Sequence, residues 1–130
     1  MVALASEYAR GQLGKGGRVG ILASPAVQMT GLYEQALGAR GLDSLWPDDG
    51  APMLAAIREI KANGPTETAR ATVAAAANEL TARGAGLLFI ACTEFSLIAD
   101  QLTPAAPLVD TLDILAKEIV TFAGSERPKE

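Results

Sequence analysis

The chain has 130 residues, 49% of them hydrophobic and 20% charged, a balance typical of one folded globular domain. Its net charge of −4 argues against nucleic acid or an anionic membrane surface as a partner. It has no histidine and one cysteine, which excludes a Ser-His-Asp triad, a histidine-containing zinc site and an internal disulfide. We expect a cytoplasmic protein, because a reducing compartment preserves a free thiol and the sequence shows no signal-peptide pattern or membrane-length apolar run.

Hydrophobic spacing predicts helices that alternate with short apolar strands. A helix over 2–13 and a glycine-rich turn lead into a first strand over 18–23. Those glycines precede the strand, whereas a nucleotide-binding loop requires them after it. The next predicted element is a helix over 28–37, whose apolar face carries Met29, Leu32, Tyr33, Ala36 and Leu37. It is followed by a mixed edge strand over 42–47, a helix ending at Asn63-Gly64, and an alanine-rich helix over 66–83 capped by Thr66.

The second half of the chain follows the same alternation. A fully apolar run over 87–91 predicts a central strand, and helical spacing over 95–102 predicts a short helix. A last strand over 107–109 precedes a terminal helix, whose predicted apolar face carries Leu112, Leu115, Ile119 and Phe122. The order predicts an α/β fold, a three-layer parallel sheet of about four strands with helices on both faces. We expect one domain over 1–124 and a disordered tail over 125–130.

The lone cysteine follows the predicted central strand, in the stretch Ala91-Cys92-Thr93-Glu94-Phe95. Open α/β sheets bind ligands at the carboxyl ends of their strands, and Ser24 follows the first strand at the same expected edge. We expect Thr93 or Ser96 to cap a helix, which would place the thiol near a helix N-terminus and lower its pKa. The alternative is a buried structural cysteine, a common fate of free thiols.

These motifs resemble the C-terminal half of the aspartate/glutamate racemase family. Ala91-Cys92-Thr93-Glu94 resembles the family's second catalytic cysteine motif, and the glutamate indicates the aspartate-racemase branch. Three further stretches are similar in order and spacing: Gly20-Ile21-Leu22-Ala23-Ser24 with Thr30 and Tyr33, Ile60-Lys61 with Gly64, and Leu108-Val109-Asp110-Thr111.

The resemblance implies a racemase that needs no cofactor and no metal, in which two thiols on opposite sides of the substrate α-carbon exchange protons. Cys92 would be one of these acid/bases. The implied substrate is a dicarboxylic amino acid or a related acid. The resemblance implies substrate-binding roles for Ser24, Thr30, Lys61, Thr93 and Glu94. For Lys61 the competing interpretation is a last-turn lysine that complements its helix dipole.

The chain departs from the family pattern in length and in its single thiol. The family's first lobe, with its Cys-Asn-Thr motif, has no counterpart here, so a two-thiol site needs that lobe or a homo-oligomer partner. A single-cysteine decarboxylase or cis-trans isomerase of the same superfamily is an alternative. A non-catalytic small-molecule-binding or dimerisation module is another, because an α/β fold alone does not define a function.

Overall fold

The structure is a computed structural model that describes residues 2–114. Residues 111–114 are helical, while the remainder of the predicted terminal helix and the predicted tail lie outside the described residues. The elements are α1 (Val2–Leu13), β1 (Arg18–Leu22), α2 (Pro25–Thr30), α3 (Leu32–Gly38), β2 (Asp43–Leu45), α4 (Ala51–Asn63), α5 (Glu67–Ala82), β3 (Leu87–Ile90), α6 (Thr93–Ser96), a 3₁₀ turn (Ala99–Gln101) and β4 (Leu108–Asp110).

The four strands form one sheet in the order β2-β1-β3-β4, and every neighbouring pair is parallel. The predicted α/β class and strand number are therefore confirmed. Leu22 of β1 pairs with Ile90 of β3, which in turn pairs with Asp110 of β4. The carboxyl ends of these three strands consequently lie side by side along one edge of the sheet.

Two apolar cores lie on opposite faces of the sheet. On one face, residues of α4, α5 and α6 pack with Leu88 and Ile90 of β3. Residues of α1 and α3 cover the other face together with Leu87 and Phe89. Successive side chains of a strand point to opposite faces, so a strand covered on both sides must be apolar at every position. This explains the uninterrupted apolar run of β3.

Helix α5 packs very close to the sheet at Gly20 in the middle of β1. A Cβ atom at this position would lie 2.5 Å from Leu88 Cδ2 and 3.1 Å from Leu80 Cβ. Glycine therefore provides the space that Leu80 occupies, and a larger residue would force the helix away from the strand.

The predicted helix over 28–37 is wrong, because two shorter helices occupy this region. Gly31 has a φ of 69°, the left-handed conformation that ends a helix, and it separates α2 from α3. The apolar face predicted for a single helix is therefore confirmed only in part. Met29 and Leu32 are 86% and 53% exposed, whereas Tyr33 and Leu37 in α3 are buried.

The predicted cap of α5 is confirmed, whereas the cap predicted at Thr93 or Ser96 is wrong, because Cys92 is the N-cap residue of α6. Thr66 caps α5, and its Oγ1 accepts a hydrogen bond from the Ala69 amide at 3.2 Å. The helix predicted over 95–102 is a four-residue α6 followed by a 3₁₀ turn, but Phe95, Ile98 and Leu102 are buried as its spacing predicted. The apolar pattern thus identified the buried face although it could not identify the helix type.

Candidate active site

Three polar side chains follow neighbouring strands at the carboxyl edge of the sheet. Ser24 lies two residues beyond the end of β1, Cys92 two residues beyond β3, and Thr111 directly after β4. The parallel register brings these positions to one edge. The sequence prediction that Ser24 and Cys92 share an edge is confirmed, and this is where parallel α/β sheets place their ligands.

Cys92 is half-buried and is itself the N-cap residue of α6, with φ −150° and ψ 129°. Its Sγ donates a hydrogen bond to Glu94 Oε2 at 3.4 Å. Burial raises the pKa of the thiol above its ordinary value; hydrogen bonds from the Phe95 and Glu94 amides oppose this, and the Glu94 carboxylate adds to it. The expectation of a lowered pKa is therefore wrong, because burial and a neighbouring carboxylate outweigh the amides of a short helix.

Glu94 is the centre of the polar group around Cys92. Its Oε2 also accepts a hydrogen bond from Thr93 Oγ1 at 2.8 Å, and its Oε1 lies 3.2 Å from Lys61 Nζ. The hydrogen bond from Thr93 is the largest cause that lowers the pKa of Glu94 to about 2, and the bonds from Cys92 and Lys61 add to it. Glu94 is therefore ionised at neutral pH and can only accept hydrogen bonds.

Lys61 reaches this group from the last turn of α4, the helix that packs beside α6. The Lys61 side chain is 65% exposed, compared with 19% for Glu94. An ion pair with one exposed partner contributes little to stability, typically about 0–1 kcal/mol, so it can be exchanged at little cost. The Lys61 side chain thus pairs with the Glu94 carboxylate at the site, and Lys61 is not simply a solvated residue at a helix end.

The hydroxyls of Ser24 and Thr30 have local structural partners. Ser24 Oγ accepts a hydrogen bond from the Val27 amide at 3.3 Å and caps α2. Thr30 is exposed, and its Oγ1 donates to the Val27 carbonyl at 2.7 Å and accepts from the Leu32 amide. Within residues 2–114, the structure therefore joins Cys92, Thr93, Glu94 and Lys61 in one network, while Ser24 and Thr30 lie outside it.

Two hydroxyls below the edge were not selected as site residues from the sequence. Thr111 is buried, and its Oγ1 donates to the Ile90 carbonyl at 3.0 Å. Tyr33 is 5% exposed; burial raises its pKa, and the Thr111 hydroxyl partly opposes the rise. The position of Thr111 directly after a strand was the available signal, whereas the contact with Tyr33 depends on how α3 crosses the sheet.

A broad cavity of about 810 Å³ lies elsewhere, on the β2 side of the sheet, lined in part by Arg18, Asp43 and Arg83. Cys92 does not line this cavity, so the thiol chemistry points to the carboxyl edge of the sheet instead. Within residues 2–114, no three His, Cys, Asp or Glu side chains converge on a possible metal position. No helix in that same range has the length and hydropathy to cross a bilayer.

The Cys92 edge can therefore perform one kind of proton chemistry without added groups. A protonated thiol beside a fixed carboxylate is a proton donor at neutral pH. The exchangeable ammonium of Lys61 can instead pair with an anionic ligand. A small carboxylic acid bound at this edge would find both groups within one short stretch of α4 and α6.

Comparison with known proteins agrees with this chemistry. Residues 1–119 match the model of the Asp/Glu/hydantoin racemase family. An aspartate racemase from Picrophilus torridus is 26% identical, with a TM-score of 0.79 over 98% of this chain and 53% of its own. A Yersinia pestis protein described as an Asp/Glu racemase has the same fold, with a TM-score of 0.76 at 24% identity over 94% of this chain and 54% of its own.

The chain thus spans about half the length of both of these structures. The family match covers most of the chain and includes the Cys92 edge. The chain belongs to the Asp/Glu/hydantoin racemase family.

Proposed function

We propose that this chain is one lobe of a cofactor-independent amino-acid racemase of the aspartate/glutamate type, with Cys92 as an acid/base at the substrate α-carbon. The observation that carries the proposal is the Cys92 thiol itself, at the carboxyl edge of β3. It is hydrogen-bonded to Glu94, which is paired with Lys61. The family membership supports the reaction class, and the aspartate racemase of Picrophilus torridus supports the substrate class.

The proposed step removes the α-proton from one face of the α-carbon and delivers a proton to the opposite face. In the state described by the structure, Cys92 is a thiol, so its S–H bond breaks as a new Cα–H bond forms. A second base on the opposite face removes the original α-proton, so one proton leaves and one arrives. No oxidant or reductant is required. The opposite enantiomer uses the same two groups with their roles exchanged.

The substrate carboxylates are the groups that this edge would hold. We assign the side-chain carboxylate of an aspartate-like substrate to Lys61, the exposed cation of the network. The α-carboxylate would meet the hydroxyl of Ser24, which accepts from the Val27 amide and still has a proton to donate. Thr93, which donates its proton to Glu94, would support the site by holding that carboxylate. Thr30 would act at the outer rim, because it is exposed and lies on α2 above Ser24. Charge that develops on the carboxylate during carbanion formation would be stabilised by these donors.

The second base must come from outside this chain, because Cys92 is its single cysteine. Four apolar side chains are exposed after the carboxyl ends of β1, β3 and β4, beside the proposed site. Such side chains are normally covered when they form a continuous surface. We assign this surface to a second racemase lobe, which would also close the site against water; the exposed residues are Met29, Leu32, Leu97 and Leu112.

Racemisation of D- or L-aspartate, followed by chiral chromatography, tests the proposal. The chain should be assayed alone and co-expressed with the first half of a two-lobed relative. We expect activity only in the assembled pair, and a loss of about 10²–10⁴-fold on Cys92→Ala, the usual contribution of an acid/base residue. Glu7→Gln is the control. Glu7 lies on α1, away from Cys92, and the substitution removes only its ion pair with Arg40. Full activity in the assembled Cys92→Ala variant would exclude the mechanism.

One observation favours a second candidate, a decarboxylase or cis-trans isomerase with a single thiol. Such an enzyme needs only one proton donor or nucleophile, and this chain has one protonated cysteine. Product analysis with malonate-type and maleate-type acids distinguishes it from racemisation. A chain that binds no dicarboxylic acid in either assay would instead be a non-catalytic binding or dimerisation module.

A further inference from the structure

The Glu94 carboxylate is held so that one oxygen faces the Cys92 thiol. Thr93 Oγ1 and Cys92 Sγ both donate to Oε2, at 2.8 and 3.4 Å, while Lys61 Nζ approaches Oε1. An ionised carboxylate only accepts hydrogen bonds, so this geometry requires a proton on the sulfur. Loss of that proton would place a thiolate against a carboxylate that Thr93 prevents from turning away.

We propose that Glu94 is a positioning residue that keeps Cys92 in its proton-donating form, and that Lys61 acts on the thiol only by neutralising Glu94. The proposal rests on the acid/base role of Cys92 given above and deepens it. A ligand carboxylate that takes Lys61 away from Glu94 would leave the Glu94 charge unopposed. Binding of a dicarboxylic acid would then make the Cys92 thiol retain more tightly the proton that it delivers.

Other charged groups near α6 do not replace Glu94 in this role. On α4, Glu59 accepts hydrogen bonds from Asn63 and Thr66, and Arg58 is exposed. The 3₁₀ turn that packs on α6 carries the exposed Asp100. Across the edge, the titratable groups are Tyr33 and Glu34 on α3, Asp110 at the end of β4 and Asp113 beyond it. Among all these groups, Glu94 is the one whose charge acts on the thiol.

Because its ion pair with Glu94 is weak, Lys61 can leave Glu94 and pair with a ligand carboxylate. It is 65% exposed, and its bond is the last of the causes that lower the Glu94 pKa, after the Thr93 and Cys92 hydrogen bonds. Thr93 therefore keeps the carboxylate in place when Lys61 leaves. A carboxylate that depended mainly on Lys61 would move with it, and the thiol would lose its acceptor.

The pH dependence of Cys92 alkylation by iodoacetamide tests this on the purified chain. Cys92 is the only thiol, so the rate reports the thiolate fraction of this residue alone. In Glu94→Gln the midpoint should fall by about one pH unit or more, because a like charge at this distance typically shifts a pKa by that amount. In Lys61→Gln it should rise by several tenths of a unit. Glu7→Gln, which removes a different carboxylate–cation pair, should leave the midpoint unchanged.

The double variant separates the two parts of the proposal. In the Glu94→Gln background, Lys61→Gln should have no effect on the midpoint, because its partner is gone. An equal rise in both backgrounds would show that Lys61 acts on the thiolate directly, and an unchanged midpoint in Glu94→Gln would overturn the role of Glu94. Should Glu94→Gln fail to fold by circular dichroism, Thr93→Val releases the carboxylate and should also lower the midpoint.

The alkylation experiment measures the protonation of the Cys92 thiol and does not measure racemisation. A chain that shows the predicted midpoints but no racemisation in the assembled pair would retain the Glu94 role and lose the proposed function. A chain that racemises aspartate with an unchanged Glu94→Gln midpoint would retain the function and lose this inference.

Discussion

The protonation of Cys92 depends on the two residues that follow it, Thr93 and Glu94. The short hydrogen bond from Thr93 fixes the carboxylate, and the fixed carboxylate then accepts the Cys92 proton. The sequence predicted that Cys92 lies at a strand end, because an apolar run changes abruptly to polar residues. It did not predict the raised thiol pKa, because that depends on burial and on the orientation of Glu94 within a helix of only four residues.

The pKa of Glu94 makes an acid-stability prediction. Its folded-state value is about 2, below the usual 4.5, so Glu94 stabilises the fold fully above pH 4.5. This contribution is lost as the pH falls from 4.5 towards 2. The difference in free energy of unfolding between the wild type and Glu94→Gln should therefore shrink over that window in urea denaturation. A difference that stays constant from pH 6 to pH 2.5 would contradict the shifted pKa.

Thr93→Val provides the comparison for this measurement. It removes the hydroxyl that contributes most to the low pKa while it keeps the carboxylate. Its acid-dependent loss of stability should begin near the ordinary carboxyl range and extend less far towards pH 2.

At the scale of the element, the α2–α3 segment shows where sequence patterns fail. The apolar spacing over 28–37 continues through Gly31 without interruption, yet the backbone there turns left-handed and divides the helix. A glycine inside a helical pattern is compatible with both outcomes. The parallel arrangement of the strands was predictable because strand–helix alternation favours it, whereas the contact between α4 and α6 that brings Lys61 to Glu94 joins residues far apart in the chain.

Two glycines in this segment make a matched pair for a stability experiment. Neither position would bring a Cβ within 4 Å of another group, so only the backbone conformation differs. Gly31→Ala should destabilise the fold by about 1–2 kcal/mol, because an alanine resists the φ of 69°. Gly38→Ala, in the last turn of α3, should be neutral or stabilising by up to about 1 kcal/mol.

Urea denaturation monitored by circular dichroism measures both changes. Equal effects of the two substitutions would show that Gly31 does not impose the break. A continuous helix over 28–37 would then have to be reconsidered.

At the scale of the whole molecule, the proposed racemase site would take one half of its groups from this chain. It supplies one thiol and one exposed cation, and its two matched structures are about twice as long. The fold and the site edge were predictable because parallel strands place their carboxyl ends together. The surface that a second lobe would cover was not, because Met29 and Leu32 were expected in the core and are exposed.

Exchange of the substrate α-proton with solvent tests the central claim most directly. Aspartate is incubated in D₂O with this chain co-expressed with a first racemase lobe, and the α-position is followed by proton NMR. With D- and L-aspartate followed separately, we predict that both α-proton signals disappear with the assembled pair. With Cys92→Ala, the signal of the enantiomer whose α-proton faces Cys92 should persist at least about 10²-fold longer. Loss of the signals of both enantiomers at the wild-type rate in the Cys92→Ala assembly would contradict the account, because Cys92 would then carry neither proton.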